Sequence, residues 1–189
     1  MKRAIFAFSF IISLLGCKVF TSAQDNYFWL STERYGVVVG NIVKQYLYNN
    51  GSWNDQGRDF TLPNGYKSIF GLSTERYGVV VGNTIKQYLY DNGRWNDQGR
   101  DFTLPNGYKS VFGLSTERYG VVVGNTIKQY LYDNGRWNDQ GRDFTLPNDY
   151  KSVFGLSTER YGVAVGNTIK QYLYDNGRWN DQGRNFIFK

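Results

Sequence analysis

The chain has 189 residues, 18% of them aromatic, with 22 glycines, one cysteine and no histidine. That length suits one domain or one array of small units with a real hydrophobic core, so disulfides are not needed. The missing histidine excludes His-based metal sites, bis-His haem ligation and Ser-His-Asp or Cys-His catalysis. The formal charge is +6, but Lys2, Arg3 and Lys18 precede the first acid. Without those three, 19 of the 22 basic residues face 16 acidic ones, interleaved along the chain. So mild an excess argues against nucleic-acid partners.

The chain opens with Lys2 and Arg3, followed by an apolar stretch from Ala4 to Leu15. A positive start and a core of that length predict an export signal, too short for a permanent membrane span. Two endings compete. Thr21-Ser22-Ala23 offers small residues for ordinary cleavage, giving a signal peptide over 1–23 and a secreted product without a transmembrane helix. Leu14-Leu15-Gly16-Cys17 resembles a bacterial lipobox, which would leave a lipoprotein anchored through Cys17.

From residue 24 to 189 the chain is repetitive. The segment from Leu30 to Gly71 recurs at Leu72, Leu114 and Leu156, a period of 42. Counted from the export boundary, the units are about 25–66, 67–108, 109–150 and 151–189. Each unit reads as four short strands. In the second unit the first runs from Tyr66 to Leu72, before the turn-prone Ser73-Thr74-Glu75. The second, Arg76 to Val81, ends at Gly82-Asn83. The third, Thr84 to Tyr90, leads into Asp91-Asn92-Gly93, a hairpin signal. The fourth is irregular, with Trp95, a break at Gly99, and Asp101 to Leu104 before Pro105-Asn106-Gly107.

Four strands repeated at about 40 residues predict an all-β, small four-bladed β-propeller. Val79-Val80-Val81 is apolar on both faces, so that strand must be covered twice, by neighbouring units. The third strand, with Lys86, Gln87 and Tyr88, is more mixed and suits a place nearer the rim. A closed ring is expected, because repeats without caps expose their end faces. An open array is the alternative.

The order of Leu104-Pro105, Tyr108 to Gly113, Arg118 to Gly124 and Ile127 to Trp137 resembles the blade of hemopexin-type four-bladed propellers. It is also similar to blades of bacterial propeller lectins. The hemopexin likeness implies the fold and a protein-interaction role. The lectin likeness implies carbohydrate binding. The absence of histidine departs from the haem-carrying members, so haem transport is not implied.

Three constellations stand out. The first is Trp-Asn-Asp-Gln-Gly-Arg. An indole offers an apolar platform to a sugar ring, and the polar side chains can bond hydroxyls in fixed directions. The candidate ligand-binding residues are Trp53, Asn54, Asp55 and Arg58, Trp95, Asn96, Asp97 and Arg100, Trp137, Asn138, Asp139 and Arg142, and Trp179, Asn180, Asp181 and Arg184. The competing reading makes the tryptophan blade core and the polar run a loop. The second is Ser73 to Tyr77, where Glu75 and Arg76 either line a pocket between blades or form a surface ion pair. The third is Asp91, Asp97 and Asp101, which suit turns better than Ca²⁺, since no calcium-loop spacing is present.

No catalytic residue and no cofactor is assigned, although an ion such as Ca²⁺ held by carbonyls of a central channel is left open. Every candidate occurs four times in the same setting, which favours multivalent binding over catalysis. The reading is a secreted, multivalent, lectin-like protein with up to four equivalent sites, whose partners are glycans. The alternative is a hemopexin-like module for a cell-surface or extracellular protein, or a structural, adhesive protein.

Overall fold

A computed structural model describes residues 27–188. The export signal and Cys17 lie outside them. The described chain is twenty β-strands in four five-stranded antiparallel sheets, one per repeat. Blade 1 holds β1 (Tyr27–Ser31), β2 (Arg34–Val39), β3 (Ile42–Asn49), β4 (Ser52–Asp55) and β5 (Phe60–Thr61). Blade 2 holds β6 (Tyr66–Ser73), β7 (Arg76–Val81), β8 (Thr84–Asp91), β9 (Arg94–Asp97) and β10 (Phe102–Thr103). Blade 3 holds β11 (Tyr108–Ser115), β12 (Arg118–Val123), β13 (Thr126–Asp133), β14 (Arg136–Asp139) and β15 (Phe144–Thr145). Blade 4 holds β16 (Tyr150–Ser157), β17 (Arg160–Val165), β18 (Thr168–Asp175), β19 (Arg178–Asp181) and β20 (Phe186–Ile187). Among these residues no helix is long and apolar enough to cross a membrane.

The first three strands of each blade form a meander. The irregular fourth strand expected from the sequence is two short strands, both paired to the third. Gly99 turns the chain between them with φ +61°. The hairpin at Asp91-Asn92-Gly93 forms as its residues require. Asn92 and Gly93 have φ of 51° and 79°, the left-handed pair that a two-residue hairpin turn needs.

The core lies between blades rather than within them. Val79 and Val80 sit on opposite faces of β7, with 0% and 1% exposure. Val79 joins Tyr77 against Val43, Phe60 and Leu62 of blade 1. Val80 joins Phe70, Ile85, Phe102 and Leu104 against Tyr119 and Val121 of blade 3. The same set recurs between blades 3 and 4, with Phe112, Val122, Ile127, Phe144 and Leu146 against Tyr161 and Val163. Each such valine or phenylalanine contributes roughly 1.5–3 kcal/mol when fully buried.

The innermost strands pack in sequence, β1 on β6, β6 on β11 and β11 on β16. Among the described residues no comparable packing joins β16 back to β1. The four sheets are the blades of the small all-β four-bladed propeller expected from the sequence, and among the described residues three of its seams are closely packed. Burial agrees: Phe60, Phe102 and Phe144 are 4–6% exposed, whereas the equivalent Phe186 is 40% exposed.

The third strand is more buried than its composition suggested. Gln45, Gln87 and Gln129 are fully buried. Each donates its side-chain N–H to a turn carbonyl of the next blade, at Thr74, Thr116 and Thr158, over 2.7, 2.7 and 2.8 Å. A polar residue survives there because its bond crosses the seam.

Two predictions follow from this packing. A Cβ built at Gly113 would meet the Gly71 carbonyl oxygen at 2.6 Å and Leu72 Cδ2 at 2.8 Å. Gly113→Ala is therefore expected to cost about 1–3 kcal/mol, read as a lower midpoint in urea unfolding. Burial also pushes the phenols of Tyr77, Tyr119 and Tyr161 well above their ordinary value. The unfolded chain releases those protons from about pH 10, while the native state keeps them. Stability is thus full below about pH 10 and falls as pH rises beyond it. Thermal unfolding at stepped alkaline pH measures this, and a flat midpoint through pH 11 would contradict it.

Candidate functional site

The Trp-Asn-Asp-Gln-Gly-Arg run begins on the fourth strand of each blade and ends in the bend before the fifth. Its residues divide into two groups. Asn96 Nδ2 donates to the Arg94 carbonyl at 3.2 Å. Asp97 accepts from the Gly99 amide at 2.9 Å and from Lys86 Nζ at 3.2 Å. The other copies repeat this. Asn54, Asn138 and Asn180 bond the carbonyls of Ser52, Arg136 and Arg178. Asp55, Asp139 and Asp181 pair with Lys44, Lys128 and Lys170. The Gly57 amide and then Lys44 hold the Asp55 carboxyl below its usual range. The Asn and Asp of the motif therefore brace their own loop.

The tryptophan and arginine instead reach across a seam. Trp137 stacks on Tyr119 of its own blade, with centroids 4.2 Å apart and planes 21° apart. Its indole N–H donates to the carbonyl of Arg100, on the preceding blade, at 3.1 Å. The Arg100 guanidinium lies 4.7 Å from the centre of the Tyr132 ring, and its Nη1 is 3.6 Å from Glu117 Oε1. Trp95 and Arg58 make the same arrangement with Tyr77, Tyr90 and Glu75. Trp179 and Arg142 make it with Tyr161, Tyr174 and Glu159. Among the described residues no blade precedes Trp53, which is 41% exposed, and none follows Arg184.

Two of these three pairings each wall an open cleft. Between blades 2 and 3 it has a volume of about 410 Å³ and is lined by Gly99, Arg100, Asp101, Phe102 and Thr103 on one side. Tyr132, Gly135, Arg136 and Trp137 line the other. Between blades 3 and 4 the equivalent cleft is about 370 Å³, with Arg142, Asp143, Phe144 and Thr145 facing Tyr174, Arg178 and Trp179. The site residues named from the sequence thus meet as Arg100 with Trp137 and Arg142 with Trp179, from neighbouring repeats rather than within one. Phe102, Thr103, Tyr132 and Arg136 were not among the candidates, and Asp101 was named only in the acidic set.

Glu75 and Arg76 do not pair with each other. Glu75 takes Arg58 of the preceding blade, and Arg76 is half-buried. The acidic set is used locally: Asp97 and Asp101 both bond Lys86, and Asp91 accepts from Asn92. Among the described residues no group of three or more Cys, Asp or Glu side chains is placed to hold a metal ion.

No protein-family model matches the sequence, and no curated protein matches it. Solved structures do. Hsv2 of Kluyveromyces lactis is similar over 88% of this chain and 63% of its own, at 14% identity and a TM-score of 0.53. That likeness is one of fold. A hemopexin-fold protein from cow pea matches over 86% of this chain and 90% of its own, at 12% identity and a TM-score of 0.48. The six-bladed, fucose-recognising lectin of Aleuria aurantia matches over 89% of this chain and 62% of its own, at 15% identity and a TM-score of 0.48.

The seam geometry makes the tryptophans unequal. Trp137→Phe removes the bond to the Arg100 carbonyl and is expected to cost roughly 1–3 kcal/mol. Trp53→Phe breaks no such bond and is expected to cost clearly less. Urea unfolding of the two variants side by side checks this, and equal losses would contradict the assignment.

Proposed function

We propose that this chain is a multivalent carbohydrate-binding protein whose sites are the clefts between adjacent blades, three in each chain. Residues 1–23 direct its export, by the reading of the sequence above. Each cleft combines aromatic rings with a planar cation. Phe102, Tyr132 and Trp137 give apolar surface for the C–H face of a sugar. Thr103 and Arg136 give donors for hydroxyls. Arg94, Arg136 and Arg178 make no ion pair among the described residues, so each is available to a ligand. The neighbouring carboxylates are committed: Asp97 and Asp101 grip Lys86. A cleft without a free carboxylate pair favours holding a sugar over hydrolysing it.

The observation that carries this reading is where the near-identical repeats differ. The hairpin residue is Arg94, Arg136 and Arg178 in blades 2–4 but Ser52 in blade 1. The opposite wall carries Asp59, Asp101 and Asp143 with Thr61, Thr103 and Thr145 in blades 1–3, but Asn185 and Ile187 in blade 4. Among the described residues no blade packs before blade 1 or after blade 4. At these three positions the cleft residue is kept wherever two walls meet and replaced where they do not, while Tyr48, Trp53, Arg184 and Phe186 are retained on the unpaired walls. Backbone folding alone does not require this, since all four blades adopt the same strands.

Weak single sites would gain from avidity on dense glycans. A glycan array probed with the folded chain, followed by calorimetry on the best ligand, tests the proposal. The expected stoichiometry is three per chain. The triple variant Arg94→Ser, Arg136→Ser, Arg178→Ser is expected to bind at least about tenfold more weakly, near 1.4 kcal/mol. A folded chain that retains no glycan, or captures a protein insensitive to free sugars, would sink it.

A further inference from the structure

All the exposed large apolar side chains among the described residues lie on the two end blades. Tyr27, Trp29, Val39 and Trp53 belong to blade 1, and Leu156, Phe186 and Ile187 to blade 4. Blades 2 and 3 have none. Apolar exposure concentrated in this way marks surfaces built for contact.

The two end faces are the halves of one further seam. Blade 1 presents Tyr35, Val39 and Trp53, the counterparts of Tyr119, Val123 and Trp137. Blade 4 presents Ile169, Gln171 and Phe186, the counterparts of Ile85, Gln87 and Phe102. Ile85 and Gln87 are fully buried in their seam, whereas Ile169 and Gln171 are only partly covered. With two copies set head to tail, Phe186 of one would meet Tyr35 and Trp53 of the other, and the Gln171 amide would face the Thr32 carbonyl. Such a contact pairs unlike surfaces, so it would propagate into rings or filaments.

One residue does not fit. The inner strands of blades 2, 3 and 4 carry Gly71, Gly113 and Gly155 at the point of closest approach, and blade 1 carries Trp29. A Cβ at Gly155 would lie 2.6 Å from the Gly113 carbonyl oxygen and 2.7 Å from Leu114 Cδ2. No side chain is tolerated there inside a seam. The Trp29 ring lies over its own blade, 4.4 Å from Tyr35, which lies 4.6 Å from Trp53. In the packed seams the ring against that tyrosine comes from the preceding blade: Phe28 on Tyr77, Phe70 on Tyr119 and Phe112 on Tyr161, at 5.3, 5.7 and 5.8 Å.

We propose that blade 1 and blade 4 form a latent docking surface for a second copy of this chain, and that Trp29 keeps it shut. Trp29 takes the place of the missing phenylalanine and, by its bulk where glycine is required, stops blade 4 of another copy from seating. Blocking a complementary face in this way is one means of keeping repeats from joining end to end. The losses at Ser52, Asn185 and Ile187 agree, since end faces that never meet have no cleft to furnish.

Sedimentation velocity on the full chain tests this with four proteins: wild type, Trp29→Gly, Phe186→Asp and the double variant. Wild type and Phe186→Asp are expected to run as single chains. Trp29→Gly is expected to assemble reversibly into species of two or more chains. The double variant is expected to return to one chain, because Phe186 is the other half of the contact. Trp29→Ala, which keeps the Cβ, is expected to stay a single chain and serves as the folding control. A folded Trp29→Gly that stays a single chain overturns the proposal. So does assembly that survives Phe186→Asp, or a wild type that already assembles and is broken up by Phe186→Asp.

Discussion

The structure depends on a strand that is apolar on both faces. Val79 and Val80 point to opposite sides of β7, and a single sheet has nothing to cover either side. Two neighbours are required, and each neighbour brings its own pair of valines with the same requirement. The unit of folding is therefore the seam and not the blade. Everything else in the repeat is arranged about that seam: a buried glutamine crossing it, a glycine allowing the inner strands to touch, and a tryptophan and an arginine clasped over its outer edge.

The clasp explains how a cleft arises from packing residues. Trp137 is not free to be a platform alone, because Tyr119 stacks on it and the Arg100 carbonyl takes its N–H. The same contacts fix its position against Arg100, Phe102 and Tyr132, so a rigid, partly apolar groove follows from holding two blades together. Rigid aromatic walls would cost a ligand little ordering. In this fold a residue that packs the seam also lines the cleft.

Much of the fold was legible in the sequence. The period of 42, the twice-covered valine strand and the Asn-Gly hairpin led to four blades, because each rests on local chemistry. The site was less legible. The motif runs continuously from Trp95 to Arg100, yet Trp95 belongs to the first seam and Arg100 to the second. Adjacency in sequence suggested one cluster where the fold divides the motif between two seams. The burial of Gln87 was also hidden, because its partner is a backbone carbonyl 29 residues away, which no side-chain pattern reveals. The signal that was present was the set of exceptions, Ser52, Asn185 and Ile187, which become meaningful only once the repeats are known to meet in three places.

Near-identity among repeats poses a physical problem that the ends must solve. Four equal blades present equal faces, and the last face of one chain then fits the first face of another. A true ring escapes by closing on itself. Among the described residues β16 makes no comparable packing with β1, so the escape must be chemical. A polar cap would serve, but Asn185 and Ser52 are too few to mask Val39, Phe186 and Ile187. A steric block is more economical, because the seam has one point, at Gly71, Gly113 and Gly155, where backbone meets backbone and even a methyl group collides. Placing the largest side chain there, Trp29, closes the face at its most sensitive position and covers Tyr35 in the same stroke. The residue that departs furthest from the repeat thus stands where the repeat is least able to accommodate a change.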